Sequence, residues 1–258
     1  MLAQPTILGW QVDWFAAMAL AAALGAAGMY AHLARTWCIP GPTGVRAALR
    51  VVLLTAIGFV GARLLSVAEF HVMSHHDASN HHFFNDLMRA DAGLTWYGGF
   101  VAVVMVLAIT MRKHSNLQSA LQQLDGLAVS TALAYGIGRF ACLFSGDGCY
   151  GTWTNLPWGM HFEHGQLPSI LPVHPTPLYE ALLSLTLCAL LTNKQRPSGK
   201  TLALFLFGST CCRFTIEFAR TNDKIAMGLT LAQLISLLIL CTGCLLWWWL
   251  SAQKNHAL

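Results

Sequence analysis

The sequence predicts an all-α protein that crosses a membrane about seven times, and three observations carry that expectation. Apolar residues make up 55% of the 258-residue chain and charged residues only 10%, whereas soluble domains run nearer a quarter charged. Seven apolar runs approach or exceed the length needed to cross the hydrocarbon of a bilayer. Basic residues gather in alternate connections between those runs, as the positive-inside rule requires of a multi-spanning chain.

The runs fall at 13–33, 51–69, 94–111, 122–144, 176–191, 201–220 and 227–250. The first lacks a basic start and follows Asp13, so it is expected to stay as a span and not to be cleaved as a signal. The fifth is short, and Pro175 and Pro177 at its entry suit a helix start. Arg35, Arg46 and Arg50 lie in or beside the first connection, and Arg112 and Lys113 lie in the third. Lys194, Arg196 and Lys200 lie at the fifth, and Lys254 lies near the C-terminus. These nine of the fifteen basic residues share one side. That side is expected to be cytoplasmic, with the N-terminus outside and the C-terminus cytoplasmic. The whole chain, 1–258, is expected to form one transmembrane helical domain with outward polar segments at about 70–93 and 145–175. A net charge of +4 is modest, and no nucleic-acid partner is expected.

Cysteine usage does not describe a disulfide scaffold. Cys188, Cys211, Cys212, Cys241 and Cys244 sit inside apolar runs and read as small buried hydrophobes. Cys142 and Cys149 stand in the polar outer region, where bridging, nucleophilic chemistry and plain packing are all open readings. Trp247, Trp248 and Trp249 suit an interfacial belt. His71, His75, His76, His81 and His82 cluster beside Asp77 and Asp86. His71 and His75 have the spacing of a helical metal pair, but the zinc-protease pattern with its glutamate is absent. A solvated polar tract is the plain alternative. A metal or redox protein built on this cluster and Cys142/Cys149 is one function class. It leaves the arginines inside the spans unexplained, and the sequence assigns neither a metal nor a cofactor.

Those arginines are the sharper signal, because an ionisable residue in a span is expensive and points to function. Arg139 stands near the outer end of the fourth run, without an acidic neighbour at helical spacing. Asp147, Glu180 and a lipid phosphate are its candidate partners. Arg213 and Glu217 are four apart and share a helical face. Two arginines in one outward cavity suit a phosphate group, since guanidinium forks bind phosphate oxygens in bidentate fashion. Gly98, Gly99, Gly136, Gly138, Gly146, Gly148 and Gly151 fit close backbone packing around such a cavity.

Taken in order, these segments form a set. Gly138-Arg139-Phe140-Ala141-Cys142 leads into Gly146-Asp147-Gly148-Cys149-Tyr150-Gly151. His174-Pro175-Thr176-Pro177-Leu178-Tyr179-Glu180 follows, and then Arg213 through Arg220. Together they resemble the prolipoprotein diacylglyceryl transferase family. Trp96-Tyr97-Gly98-Gly99-Phe100 is similar to its third-span His-Gly-Gly segment, and Gly61-Ala62-Arg63 to its second-span Gly-Gly-Arg. The resemblance implies a bacterial inner-membrane, multi-pass enzyme with its active side facing the periplasm or exterior. It implies transfer of the diacylglyceryl group of phosphatidylglycerol to the lipobox cysteine thiol of a secreted preprotein, with glycerol phosphate leaving.

It further implies that Arg139 and Arg213 contact the head group, that Glu217 orients Arg213, and that Gly151 keeps the outer loop close to the cavity. The expected catalytic set is Arg139, Arg213, Glu217, Tyr97, Asp147 and His174. The expected binding set is Arg63, Gly98, Gly99, Cys142, Gly151, Tyr179 and Glu180. The sequence departs from the family pattern at Tyr97, which stands for a histidine, at Cys142, which stands for an asparagine, and at Phe15, which stands for a tyrosine. A phenol titrates near pH 10 and is a poor base at neutral pH. Asp147 and His174 are the replacement candidates, although His174 also suits a bracing role at the start of the fifth span. A non-catalytic lipid-binding or accessory protein of the same fold is the alternative.

Overall fold

The computed structural model describes residues 6–7, 10–11, 13–73, 96–112, 116–193 and 196–255. Among the described residues there are seven α-helices: α1 (Trp14–Thr36), α2 (Val45–Met73), α3 (Trp96–Met111), α4 (Leu117–Ser145), α5 (Thr176–Thr192), α6 (Lys200–Ile216) and α7 (Leu231–Asn255). Five are long and apolar enough to cross a membrane, and two shorter apolar helices are 98–111 and 176–192. The all-α membrane architecture expected from the sequence is therefore present. Large apolar side chains on the outer faces, such as Leu20, Leu53 and Val60, are about 60% exposed. Water would penalise that much contiguous apolar surface, and lipid does not.

The helix starts follow local chemistry. The Asp13 carboxylate accepts from the Phe15 amide at 2.9 Å, and the Asn116 side chain accepts from the Gln118 amide at 2.9 Å. Each satisfies an orphan donor at its helix N-terminus. Pro175 precedes α5, with Pro177 in its first turn, where a missing amide hydrogen costs nothing. Among the described residues, three short antiparallel strand pairs decorate one end of the bundle: β1–β2 (Thr6–Ile7, Trp10–Gln11), β3–β4 (Met160–Phe162, Ser169–Val173) and β5–β6 (Lys224–Ala226, Leu229–Thr230). The expected sixth span to residue 220 ends earlier. Its helix stops at Ile216 and continues as a 3-10 turn, Glu217–Ala219. The expected start of the seventh span at 227 lies in the β5–β6 turn. The five cysteines read as buried divide: Cys188 is buried, Cys211 and Cys212 are half-buried, and Cys241 and Cys244 are exposed on α7. A small apolar side chain serves equally well against lipid.

Helix α4 is the centre of the bundle and packs on α1, α5 and α6; α2 lies between α1 and α3, and α7 closes on α6. Tyr30 and Leu33 of α1 pack with Val129 and Ala132 of α4 in the main apolar cluster. At the basic end, buried Asp125 of α4 caps α6, accepting from the Gly199 and Leu202 amides at 2.7 Å each. Nearby, Arg50 donates to the Gln123 side chain at 2.8 Å, and Gln123 donates to the Pro40 carbonyl at 3.1 Å. The α2–α3 seam depends on small residues. A Cβ at Gly61 would lie 2.6 Å from the Gly98 carbonyl oxygen, and one at Gly99 would lie 2.8 Å from the Gly58 oxygen. Gly98 and Gly99, expected in the binding set, thus hold two helix backbones together.

Gly61→Val should separate α2 from α3 and lower stability by about 1–3 kcal/mol, read as a lower melting temperature in detergent. Gly28→Ala, where a Cβ meets nothing within 4 Å, should leave the melting temperature unchanged or raise it.

Candidate functional site

The site forms where α4 ends, α5 begins and α6 ends, at the hairpin-bearing side of the bundle. Its centre is Glu180, one turn into α5 and only 3% exposed. Three arginines converge on this carboxylate. Arg139 of α4 forms an ion pair with Oε2, while Arg213 of α6 and Arg220 beyond it each donate Nη1 to Oε1 at 3.1 Å. Tyr135, one turn before Arg139 on α4, donates its hydroxyl to Glu180 Oε2 at 2.5 Å and accepts from Arg139 Nη2 at 2.7 Å. Arg139 also lies over the Tyr135 ring, 4.8 Å from its centroid.

Glu217 forms the second pole. Its Oε2 pairs with Arg213 Nη2 at 2.9 Å and lies 3.9 Å from Arg220 Nε. Its Oε1 accepts from Asn222 at 2.6 Å and from the Thr230 hydroxyl at 2.8 Å. The β5–β6 hairpin therefore fixes Glu217, and Glu217 fixes two guanidinium groups. Ionised, three arginines face two carboxylates, so the cluster carries one net positive charge. The arginine side chains keep 13–26% exposure, while the two carboxylates keep 0–2%. The residual charge thus faces outward while its counter-charges are buried beneath it. Such an arrangement suits a singly charged phosphodiester.

The structure sorts the sequence candidates. Arg139, Arg213, Glu217 and Glu180 come together in one network, and Glu180 is the partner that Arg139 lacked within its own helix. Arg220 and Tyr135 belong to the same network and were not singled out as site residues. Their signal was present, since Tyr135 is one helical turn from Arg139 and Arg220 is three residues from Glu217.

Gly151 sits in a tight junction: its amide donates to the His174 carbonyl at 2.8 Å, and a Cβ there would collide with the Ala219 carbonyl oxygen. His174 lies beside Tyr179, Nδ1 to hydroxyl 3.3 Å, and Trp158 Nε1 donates to the same hydroxyl at 2.8 Å. These three side chains brace the start of α5. Arg63 is a half-buried residue of α2. Tyr97 lies in the first turn of α3, and its side chain is outside the described residues. Of the histidine cluster, His71 ends α2, and His75, His76, His81 and His82 lie outside the described residues.

Cys142 and Cys149 are free thiols whose sulfurs lie within 4.8 Å of each other and of the Asp147 carboxylate. Cys142 Sγ is 3.8 Å from Arg139 Nη1. In the loop beyond α4, the Cys149 thiol is lowered from its usual value near 9 to about 7, chiefly by a hydrogen bond from the Cys142 thiol, with burial opposing the shift.

Glu180→Ala should leave three guanidinium groups without their common counter-charge. It should cost about 3 kcal/mol or more, read as a detergent melting shift much larger than that of an exposed Glu163→Ala control. A lowered thiol value means that the reactive thiolate forms above that value. Alkylation of Cys149 in the reduced protein should therefore rise with a midpoint near pH 7, moving back toward 9 in Cys142→Ala.

Comparison with known proteins fits this geometry. A family model described as prolipoprotein diacylglyceryl transferase matches residues 5–249. The chain is similar to the phosphatidylglycerol–prolipoprotein diacylglyceryl transferase of Bordetella avium (strain 197N), 35% identical over 164 residues, which is 60% of each chain. It is similar to the one of Legionella pneumophila (strain Paris), 32% identical over 61% of this chain and 63% of that one. The enzyme of Pasteurella multocida (strain Pm70) is 34% identical over 57% of this chain and 53% of its own. The matches span about 60% of the length of the first two relatives. With its model matched along nearly the whole sequence, the chain belongs to the prolipoprotein diacylglyceryl transferase family.

Proposed function

We propose that this protein moves the diacylglyceryl group of phosphatidylglycerol to a cysteine thiol of a secreted preprotein, releasing glycerol phosphate. The observation that carries the reading is the net positive charge of the Glu180 cluster, presented by guanidinium groups whose counter-charges are buried. Family membership supports it, as do the names of the similar proteins.

The phosphate of the donor lipid carries one negative charge before reaction. Attack of the acceptor sulfur on the glycerol carbon breaks the carbon–oxygen bond and leaves a second charge on the departing phosphate. Arg139 and Arg213, already held by Glu180 and Glu217, stabilise that charge as it develops, without rearranging. Interactions that strengthen toward the transition state are those that raise the rate. Glu217 orients Arg213, and Gly151 keeps the outer loop against the cavity. A cavity of about 210 Å³ between α6 and α7, lined by Thr210, Cys211, Phe214, Leu237 and Leu240, suits part of an acyl chain.

The charge difference between the two ends of the bundle supports an orientation. The connections opposite the hairpins are short and basic, so that end faces the cytoplasm and the arginine cluster faces the periplasm or exterior of a bacterial inner membrane. Tyr97 in place of a histidine favours a second reading, a lipid-binding accessory protein without turnover.

The test is incubation of the purified protein with labelled phosphatidylglycerol and a lipobox peptide. Transfer to the peptide thiol with release of glycerol phosphate is expected, and Arg139→Lys should lower it about 10²-fold or more by removing the fork. Phosphatidylglycerol that stays bound with no transfer would support the accessory reading and overturn the transferase.

A further inference from the structure

We propose that Cys142, Asp147 and Cys149 form a binding site for a thiophilic divalent cation of the zinc class, at the rim of the arginine cluster and with one coordination position open. The chain reversal that makes the site is local. Helix α4 ends with Gly146 in the left-handed region at φ 59°, and Gly148 follows at φ 87°. Those two turns fold the loop back over the last turn of α4, where Cys142 sits. The Thr176 hydroxyl, from fully buried Thr176 at the start of α5, donates to the Cys149 carbonyl at 2.6 Å and pins the loop there.

The two sulfurs and the carboxylate oxygen then lie within 4.8 Å of one another. A tetrahedral ion about 2.3 Å from each sulfur needs its ligands roughly 3.8 Å apart, so a small side-chain adjustment closes the site. Two sulfurs among three ligands select zinc over calcium or magnesium, which take oxygen donors. Two thiolates and a carboxylate against a divalent ion leave one negative charge, and Arg139, whose ion-pair partner is Glu180, lies beside the site with Nη1 3.8 Å from Cys142 Sγ. All three residues are half-buried, so the site is shielded from bulk water yet reachable.

Three protein ligands and an open fourth position describe a reactive zinc site, not a closed structural one. Resting on the transferase reading above, the open position takes the acceptor thiol. The thiol loses its proton to solvent on binding, because a metal-bound thiol is deprotonated outright. Its sulfur then forms the bond to the diacylglyceryl carbon while the carbon–oxygen bond breaks, its electron pair leaving on the phosphate of glycerol phosphate. No electron is gained or lost overall. This supplies the thiolate for which Tyr97 is a poor base.

The experiment uses the full chain in detergent, reduced and loaded with zinc or with cobalt. About one zinc per chain should survive gel filtration, and cobalt should give a cobalt–thiolate charge-transfer absorption. Cys142→Ser and Cys149→Ser should each abolish that absorption, and Asp147→Asn should weaken zinc binding at least tenfold, with melting curves checking that the variants fold. Absence of the cobalt–thiolate band in the reduced wild-type protein would overturn the site. So would zinc retained at full stoichiometry by the double cysteine variant, or a Cys142–Cys149 disulfide in protein whose thiols were trapped on isolation. Transfer that falls on chelation and returns with zinc supports the acceptor role. Zinc binding without any transfer overturns that role and the transferase reading but keeps the site, whereas transfer unaffected by chelation in a zinc-free protein overturns the acceptor role alone.

Discussion

The hairpin-bearing half of this bundle is organised by one buried carboxylate. Glu180 draws Arg139, Arg213 and Arg220 to a single point, and with them the ends of α4 and α6 and the start of α5. A lone buried carboxylate would be costly, as would three desolvated guanidinium groups. Together with Glu217 they compensate one another except for one positive charge, which lies on the exposed side of the cluster. The ion pairs are therefore poor evidence for stability as such. Their consequence is preorganisation: donors are fixed before an anion arrives, and the residual charge needs an anion to be neutralised.

The rest of the fold serves this placement. Helix α4 runs the length of the bundle and carries both poles, Arg139 at the hairpin end and Asp125 at the basic end, where Asp125 caps α6. A shift of α6 along α4 would break the cap and the cluster at once. The β5–β6 hairpin holds Glu217 through Thr230, and Gly151 lets the outer loop lie against the end of the 3-10 turn. The arginine cluster and the Asp125 cap both lie at bundle ends, where water or head groups can reach them. The membrane faces stay apolar.

Much of this was legible in the sequence. Run lengths and the bias of basic residues gave the seven helices, and the cost of charge in lipid singled out Arg139, Arg213 and Glu217. Pro175 marked the start of α5. What escaped was interhelical. Glu180 read as one of several partners for Arg139 and as a binding residue, because nothing in a linear sequence shows that α4 and the end of α6 deliver three arginines to it. Tyr135 and Arg220 escaped for the same reason, although each has a helical-spacing neighbour in the cluster. Asp125 carried no signal of its role, since its partners are backbone amides more than seventy positions away. Gly98 and Gly99 read as close backbone packing around a cavity, but the sequence did not show that the backbone they approach is that of Gly58 and Gly61. The union of Cys142 with Asp147 and Cys149 depends on the left-handed turn at Gly146, a conformation that glycine permits but does not announce.

The most direct measurement is a high-resolution structure of the protein in lipid nanodiscs containing phosphatidylglycerol. A head-group phosphate is expected within hydrogen-bond distance of both Arg139 and Arg213, on the exposed side of the Glu180 cluster. Phosphatidylglycerol bound elsewhere, with both guanidinium groups still turned wholly onto Glu180 and Glu217, would contradict the account.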